Sequence, residues 1–214
     1  MSEIETHPFD PFIPENATTL IVGSFPGMEQ IINKDNPEEW FYSAADNLFW
    51  VILSEAFQTE LKTVKQKKDF FGAKGIAITD IFTKVLRKEK SNLDKFLTQM
   101  EYNKKIKSII DDSKIKKLFF TSKFVEKHFL KEFPQITFGV SLPSPSQAAN
   151  IPISISDDFK IYKQVNPSGN SYSFRVYKYK LLLSCSPTYK PINFFLPTVY
   201  RKNKRNFFTD LKKY

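Results

Sequence analysis

A short apolar strand that runs into a Gly-Ser-Phe-Pro-Gly turn is the feature that most constrains the fold of this chain. The segment Leu20-Ile-Val-Gly-Ser-Phe-Pro-Gly27 lies close to the N-terminus. It predicts a buried first strand that delivers a tight loop to the edge of an α/β sheet. Ligands of such folds bind outside the carboxyl ends of the strands. We therefore expect the functional site at this loop and at the loops that converge on it.

Further apolar runs predict three more strands, which alternate with segments of helical periodicity. The strands are expected over Gly75–Phe82, Lys117–Thr121 and Ile136–Leu142. Helices are expected over Asn47–Phe57, Gln66–Phe71, Leu93–Ile110, Lys123–Phe129 and residues 154–183. Strands separated by helices form a parallel sheet covered on both faces. The expected fold is a single three-layer α/β/α domain with a central four-stranded parallel sheet.

The two ends of the chain differ from this pattern. The segment His7–Pro14 contains three prolines, each of which disfavours helix before it, and predicts an extended arm. The tail is aromatic, basic and rich in proline and asparagine. We therefore predict one domain over residues 1–183 and a basic, aromatic C-terminal extension over 184–214.

The charge of the chain indicates a polyanionic partner. It has 32 Lys and Arg against 23 Asp and Glu, a formal charge of +9. Nucleic acid is the commonest such partner, although a general bias toward lysine is an alternative.

Cysteine and histidine are too few for several classes of site. With one cysteine and two histidines, no structural zinc site or iron–sulfur cluster is expected, and we predict no metal and no cofactor. The acidic N-terminus is unlike a signal peptide and no apolar run suggests a membrane span. We predict a cytoplasmic protein, a monomer, with no membrane partner.

The loops after the first and fourth strands predict a pocket. Both are small and contain proline, and at the switch point of a sheet they can be neighbours. Ser24, Ser144 and Ser146 would lie at its mouth. The segment Phe41–Trp50 adds aromatic faces and the carboxamide of Asn47. Stacking beside an amide suits a flat heterocycle, such as a base flipped out of DNA.

Five segments of the chain, in order, resemble the uracil-DNA glycosylase superfamily, and most closely its branch of mismatch-specific and hypoxanthine-DNA glycosylases. They are His7–Asn16, Gly23–Gly27, Tyr42 to Trp50, Gly75–Asp80 and Leu142–Asn150. Residues 166–179 also resemble the closing helix of bacterial members. The resemblance spans roughly residues 7–183. It implies the same fold and cleavage of the N-glycosidic bond without a metal.

The resemblance implies roles for the first two motifs. The polar third residue of the first motif helps to place the attacking water in many members, but here it is Phe25. Asn47 becomes the candidate for this work, together with Ser24. The turn formed by Gly23, Phe25, Pro26 and Gly27 would bind the base, with backbone amides donating to its carbonyl. Tyr42 matches the position that stacks on the flipped base.

The resemblance also implies contacts to DNA. Ser144 and Ser146 match the motif that contacts the flanking phosphates. Pro145 and the residues from Gln147 to Asn150 match the loop that enters the duplex. Lys123 is a further basic candidate for phosphate contact, which would make binding sensitive to salt.

The expected function is that of a monofunctional DNA glycosylase in base excision repair, which removes uracil or hypoxanthine from damaged or mismatched duplex DNA. The alternative is a catalytically silent binder of nucleic acid or nucleobase that keeps the fold, and Phe25 is the argument for it. Simpler roles also stay open. Asn47 is a good helix N-cap, and Phe25 is a plausible core residue. Asp46 and Asp80 are candidate water activators, although exposed loop aspartates usually have no specific role. A phosphate-binding domain of another kind is disfavoured because no P-loop or Gly-x-Gly-x-x-Gly pattern is present.

Overall fold

A parallel sheet covered by helices forms the centre of the protein, shown here by a computed structural model that describes residues 3–89, 91–112, 114–149 and 170–184. Its elements in chain order are β1 (Ile4–Thr6), β2 (Thr19–Gly23), α1 (Met28–Ile32), α2 (Phe49–Phe57), α3 (Val64–Lys74), β3 (Ile76–Asp80), β4 (Phe82–Arg87), β5 (Leu97–Tyr102), α4 (Lys105–Asp112), β6 (Lys117–Phe120), α5 (Lys123–Glu132), β7 (Val140–Ser141) and α6 (Ser171–Ser184). The central sheet has the order β3-β2-β6-β7, and every pairing in it is parallel. The predicted α/β/α fold with a four-stranded parallel sheet is confirmed.

Strand β2 is buried on both of its faces, as the continuous apolar run predicts. Side chains alternate across a strand. Leu20 and Val22 therefore enter one apolar cluster, which they share with α4 and α5. Ile21 enters a second cluster with α2, α3 and α6. The two clusters are the interfaces between the three layers.

A second sheet, which is antiparallel, corrects the prediction. It has the order β1-β4-β5. The strand expected over Gly75–Phe82 ends at Asp80, and Phe82 begins strand β4. The helix expected over Leu93–Ile110 is wrong in its first half, because a 3₁₀ turn at Asp94–Phe96 leads into β5. The pairing of β4 with β5 overrides the local helical spacing of the apolar residues.

Helix α3 is longer than the predicted Gln66–Phe71 because it is capped at both ends. The Thr63 hydroxyl accepts a hydrogen bond from the Gln66 N–H at 3.2 Å, and Gln66 reaches back to the Thr63 N–H. Gly72 lies inside the helix and does not end it. Gly75, with a φ of 61°, ends it in the left-handed conformation.

The N-terminal arm is extended, as its prolines predict, and it covers the edge of the central sheet. Phe12 exchanges two backbone hydrogen bonds of 3.0 Å with Ile78 in β3. The His7 N–H donates to the Thr83 carbonyl at 2.8 Å. The arm thus carries the His7 side chain to the end of β3.

The C-terminal predictions are tested in part. The fourth strand is shorter than Ile136–Leu142, since only Val140–Ser141 pair with β6. The closing helix is described from Ser171 to Ser184, as α6. Residues 150–169 and 185–214 lie outside the described residues. The domain boundary at 183/184 therefore stays a prediction.

Candidate active site

Loops that follow the central strands line a cavity of about 380 Å³ at the carboxyl edge of the sheet. This volume is typical of a small-molecule site. Asp80 is the last residue of β3 and Thr121 is the first residue after β6, and these two strands lie on either side of β2. Most residues predicted from the sequence line this cavity together: Ser24, Phe25, Pro26, Gly27, Tyr42, Asn47, Ser144, Pro145 and Ser146.

The other predicted residues lie elsewhere. Gly23 lies beneath the cavity, at the end of β2. The Gln147 N–H donates to the Asp46 carbonyl at 3.3 Å, which ties the end of the Ser144–Ser146 loop to the cavity wall. Lys123 is 82% exposed and pairs with Glu126 at 2.5 Å. Asn150 lies outside the described residues. Their contacts with DNA stay predictions.

Tyr42 is fixed against the floor of the cavity. Its backbone has a φ of 59°, a conformation that costs a bulky residue about 1–3 kcal/mol. Its ring stacks on Phe49 with centroids 4.3 Å apart, and its hydroxyl donates to Thr121 Oγ1 at 2.9 Å. Burial, followed by the nearby Asp80 carboxylate, raises the pKa of Tyr42 well above its usual value. Tyr42 is therefore a rigid, neutral aromatic wall.

Gly23 is needed where Tyr42 and Asp80 meet. A Cβ at this position would lie 2.0 Å from the Tyr42 hydroxyl and 2.2 Å from Asp80 Oδ1. No side chain fits in that space. The absence of a side chain at Gly23 lets both groups reach the end of β2.

Asn47 lines the cavity and bonds to the start of α2, but the N-cap is Leu48, one residue later than predicted. Its Oδ1 accepts a hydrogen bond from the Phe49 N–H at 2.9 Å at the start of α2. Asn47 also forms a β-bridge with Ser146, and the Leu48 N–H donates to the Pro145 carbonyl at 2.9 Å. These bonds hold the second motif against the first turn of α2. With Oδ1 bonded to the Phe49 N–H, the Nδ2 amide is the group that Asn47 can offer to a ligand.

Phe25 combines a core role with a place in the cavity wall. Its half-buried ring packs against one apolar cluster and meets the His7 ring edge to face at 5.5 Å. A phenyl ring has no group that orients water. The turn after β2 therefore presents an apolar side chain, Phe25, to the cavity.

His7 and Asp80 form a buried pair below Phe25. The Phe9 N–H donates to His7 Nδ1 at 3.1 Å, so Nδ1 is an acceptor and the ring proton lies on Nε2. Nε2 donates to Asp80 Oδ2 at 3.0 Å. Asp80 is only 5% exposed, and its Oδ1 has no hydrogen-bond partner among the described residues. Asp80 is thus not the exposed loop residue that its sequence context suggests.

Asp94 is another cavity carboxylate. It comes from the 3₁₀ turn between β4 and β5 and has the hydroxyls of Ser24 and Ser122 as neighbours. Burial raises the pKa of Asp94, the Ser24 hydroxyl lowers it, and the nearby Asp80 carboxylate raises it further, for a net increase. The cavity is therefore lined by three carboxylates, Asp46, Asp80 and Asp94.

Arg87 holds the antiparallel sheet against the β2 turn. Its guanidinium pairs with Glu5 at 2.9 Å and donates to the carbonyls of Ser91 and Pro26, both at 2.9 Å. Asn92 adds a bond, since its Oδ1 accepts from the Met28 N–H at 2.9 Å. These contacts position Asp94 over Ser24.

Sequence analysis missed His7, Arg87 and Asp94 as site residues. Asp94 lines the cavity, whereas Arg87 and His7 contact lining residues, Pro26 and Asp80, from the second sheet and the arm, so their partners are distant in the chain. The one available signal was the presence of opposite charges, Glu5 and Arg87, in two segments that form paired strands. That signal cannot be used until the pairing of the two strands is known.

The fold is similar to that of a known protein. The match covers 84% of this chain and 99% of a protein from Methanosarcina acetivorans, provisionally named a uracil DNA glycosylase, whose structure was determined in solution by NMR. The TM-score is 0.59 and the sequence identity is 20%. No protein-family model matches the chain, and no curated protein matches it. The chain thus has a uracil-DNA glycosylase-like fold.

Two general features complete the description. None of the helices in the described ranges is long and apolar enough to cross a membrane. Within those same ranges, no three His, Cys, Asp or Glu residues are grouped so that they could hold a metal ion.

Proposed function

We propose that the protein is a monofunctional DNA glycosylase that removes a deaminated base, uracil or hypoxanthine, from duplex DNA. It would act in base excision repair, as a cytoplasmic monomer. The observation that carries the proposal is the cavity itself. Segments far apart in the chain, which resemble glycosylase motifs, line one space of about 380 Å³ at the carboxyl edge of a glycosylase-like sheet.

The cavity has the chemistry that a flipped base requires. Tyr42 offers a flat aromatic surface held by Phe49. Asn47 and the Ser24 and Phe25 N–H groups are the donors at the cavity wall, since Pro26 has no N–H and the Gly27 N–H donates to Gln30 Oε1 at 2.9 Å. Preorganised donors of this kind stabilise the charge that a departing base acquires. Extrusion of the base costs a few kcal/mol, and less at a mismatch, which favours damaged sites.

DNA is the partner that the charge supports. The formal charge of +9 favours a polyanion, and phosphate contacts make such binding depend on salt. The rim loop of Ser144–Ser146 joins Asn47 through backbone bonds. Contact of this loop with the duplex would therefore be coupled to the cavity.

A silent nucleobase-binding protein is the second candidate. The contact between Phe25 and His7 favours it, because the third motif residue is a packed apolar ring rather than a polar group. Such a protein would bind DNA and release no base.

Base release from labelled duplexes that carry uracil, hypoxanthine or xanthine separates these candidates. The wild type is compared with Asn47→Asp, which keeps the acceptor oxygen and loses the Nδ2 donor, and with Asn47→Ala, which loses both. Thr63→Ala is the control, since it removes an N-cap from α3, outside the cavity. Loss of a cap costs about 1 kcal/mol of stability.

A glycosylase predicts release by the wild type and by Thr63→Ala, and a large loss in both Asn47 variants. Release by none of the proteins, with salt-dependent DNA binding intact, would overturn the enzymatic proposal and leave the silent binder. Release that is equal in all four proteins would support a glycosylase but exclude Asn47 from the chemistry.

A further inference from the structure

Three carboxylates line the cavity. Asp46 precedes Asn47 in the opposite wall and accepts a hydrogen bond from Asn92 Nδ2 at 3.4 Å, whereas the other two belong to the side of the turn after β2. Asp80 ends β3, and Asp94 comes from the 3₁₀ turn of the antiparallel sheet. Both line the cavity together with Phe25. Asp94 lies outside the five segments that resemble the glycosylase superfamily.

The two carboxylates differ in what they can reach. Asp80 is 5% exposed, and its unpartnered Oδ1 is sealed beneath Tyr42 at Gly23. Asp94 is half-buried and opens into the cavity. The hydroxyls of Ser24 and Ser122 are its polar neighbours there. A carboxylate accepts about four hydrogen bonds, so Asp94 has room for a water molecule.

Asp94 is also held in place. Arg87 ties the strand before it to the Pro26 and Ser91 carbonyls, and the neighbouring Ser122 is itself fixed as the N-cap of α5. A general base must be positioned within hydrogen-bond reach of the proton that it accepts. The anchoring of Asp94 from two sheets satisfies the need for a fixed position.

We propose that Asp94 is the general base that activates the attacking water, the work that Phe25 cannot do. This inference rests on the proposed glycosylase function. Asp94 accepts a proton from the water as the water oxygen bonds to C1′ of the deoxyribose. The C1′–N bond breaks, its electron pair leaves on the base, and the base then takes a proton from solvent. Ser24 and Ser122 hold the carboxylate in position.

The charges that face Asp94 suit this role. Asp80 and Arg87 are its charged neighbours, with opposite effects on its ionisation, and the exposed Lys95 follows it in the turn. Burial, opposed by the two hydroxyl hydrogen bonds and assisted by Asp80, raises the pKa of Asp94. A raised pKa makes a carboxylate a better proton acceptor in its ionised form. Burial, with smaller contributions from Asp80 and Asp94, raises the pKa of Tyr42, so Tyr42 is a neutral neighbour of Asp94. His7 donates to Asp80.

The test uses single-turnover base release by the full-length protein with Asp94→Asn. Asp69→Asn is the matched control, because it removes the same charge from an exposed ion pair on α3. Each protein is assayed on the duplex that the wild type cleaves, across pH 5 to 8. Affinity is measured separately on a duplex with a non-cleavable 2′-fluoro nucleotide at the target position.

The proposal predicts a rate about 10² to 10⁴ lower in Asp94→Asn, with unchanged affinity, and a wild-type rate in Asp69→Asn. The wild-type rate should rise with pH while Asp94 ionises and then level off. That rising limb should be absent in Asp94→Asn.

Each other result identifies what has failed. A wild-type rate in Asp94→Asn overturns the role of Asp94 and leaves the glycosylase function standing. A loss of rate with an equal loss of affinity, or with the rising limb retained, means that Asp94 has a structural or binding role only. Absence of release by the wild type from every duplex overturns both proposals.

Discussion

The contact of Gly23 with Tyr42 and Asp80 predicts that Gly23→Ala is strongly unfavourable. The added Cβ would lie 2.0 Å from the Tyr42 hydroxyl and 2.2 Å from Asp80 Oδ1, whereas ordinary contacts begin at 3.4 Å. Both neighbours must retreat by more than an ångström. Tyr42 is held by Phe49 and Thr121, and Asp80 by His7, so neither retreats freely. We expect a cost near the upper end of overpacking, about 3 kcal/mol.

Gly72→Ala is the matched control. No atom lies within 4 Å of the position of its Cβ, and Gly72 is inside helix α3. Alanine there should raise the free energy of unfolding by about 0.5–1 kcal/mol. The same substitution is thus expected to act in opposite directions at the two sites. Urea unfolding followed by the fluorescence of the stacked Trp40 and Trp50 measures both effects.

A double-mutant cycle tests the cause. Tyr42→Phe removes the hydroxyl at 2.0 Å and leaves ring carbon Cζ at 3.0 Å. Gly23→Ala should therefore cost less in the Tyr42→Phe background, by at least about 0.5 kcal/mol. Relief should be incomplete, since the contact with Asp80 Oδ1 persists. A cost below about 0.5 kcal/mol in the wild-type background, or one that is independent of Tyr42, would refute the reasoning.

Two further predictions concern the residues that connect the sheets. Arg87→Met should cost about 3 kcal/mol in urea unfolding, because it leaves Glu5 unpaired and two carbonyls without a donor; a change below about 1 kcal/mol would contradict this. Asp94→Asn should be more stable than the wild type near pH 7, because burial raises the folded-state pKa of Asp94 and its ionised form therefore opposes folding. This advantage should vanish as pH falls to about 3.9, the pKa of Asp94 in the unfolded chain. Urea midpoints at several pH values measure it, and a wild type that is more stable than Asp94→Asn at every pH would contradict the prediction.

The central sheet could be predicted from the sequence because the pattern that indicates each strand lies within the segment that forms it. The run Leu20–Val22 is apolar throughout, is rich in β-branched residues and ends at a Gly-Ser-Phe-Pro-Gly turn, which is typical of a strand buried on both faces. The antiparallel sheet could not. Leu93, Leu97 and Met100 have helical spacing, while the strand that contains the last two exists through its pairing with β4. Gln99 even adopts a φ of 48°, an irregularity that no propensity predicts.

The same distinction applies to the site. Asn47 and Tyr42 could be named because they lie in compact segments with recognisable neighbours. Asp94 could not, because its relation to Ser24 depends on the unpredicted sheet. The sequence does not show that His7 pairs with Asp80, because the two residues meet only when the folded arm lies beside β3. Residues within one loop are predictable together, whereas residues that meet across two sheets require the register of both.

The carboxylates bear on the choice between an enzyme and a silent binder. Burial of Asp94 close to Asp80 makes its ionised form unfavourable for folding. A cavity that only binds a neutral base gains nothing from that cost, and Asp94→Asn should then add stability and leave binding unchanged. An enzyme gains a proton acceptor beside the apolar Phe25, and the same variant should add stability while it loses the rate. Stability and base release measured on one Asp94→Asn preparation, at one pH near neutrality, therefore separate the two functions.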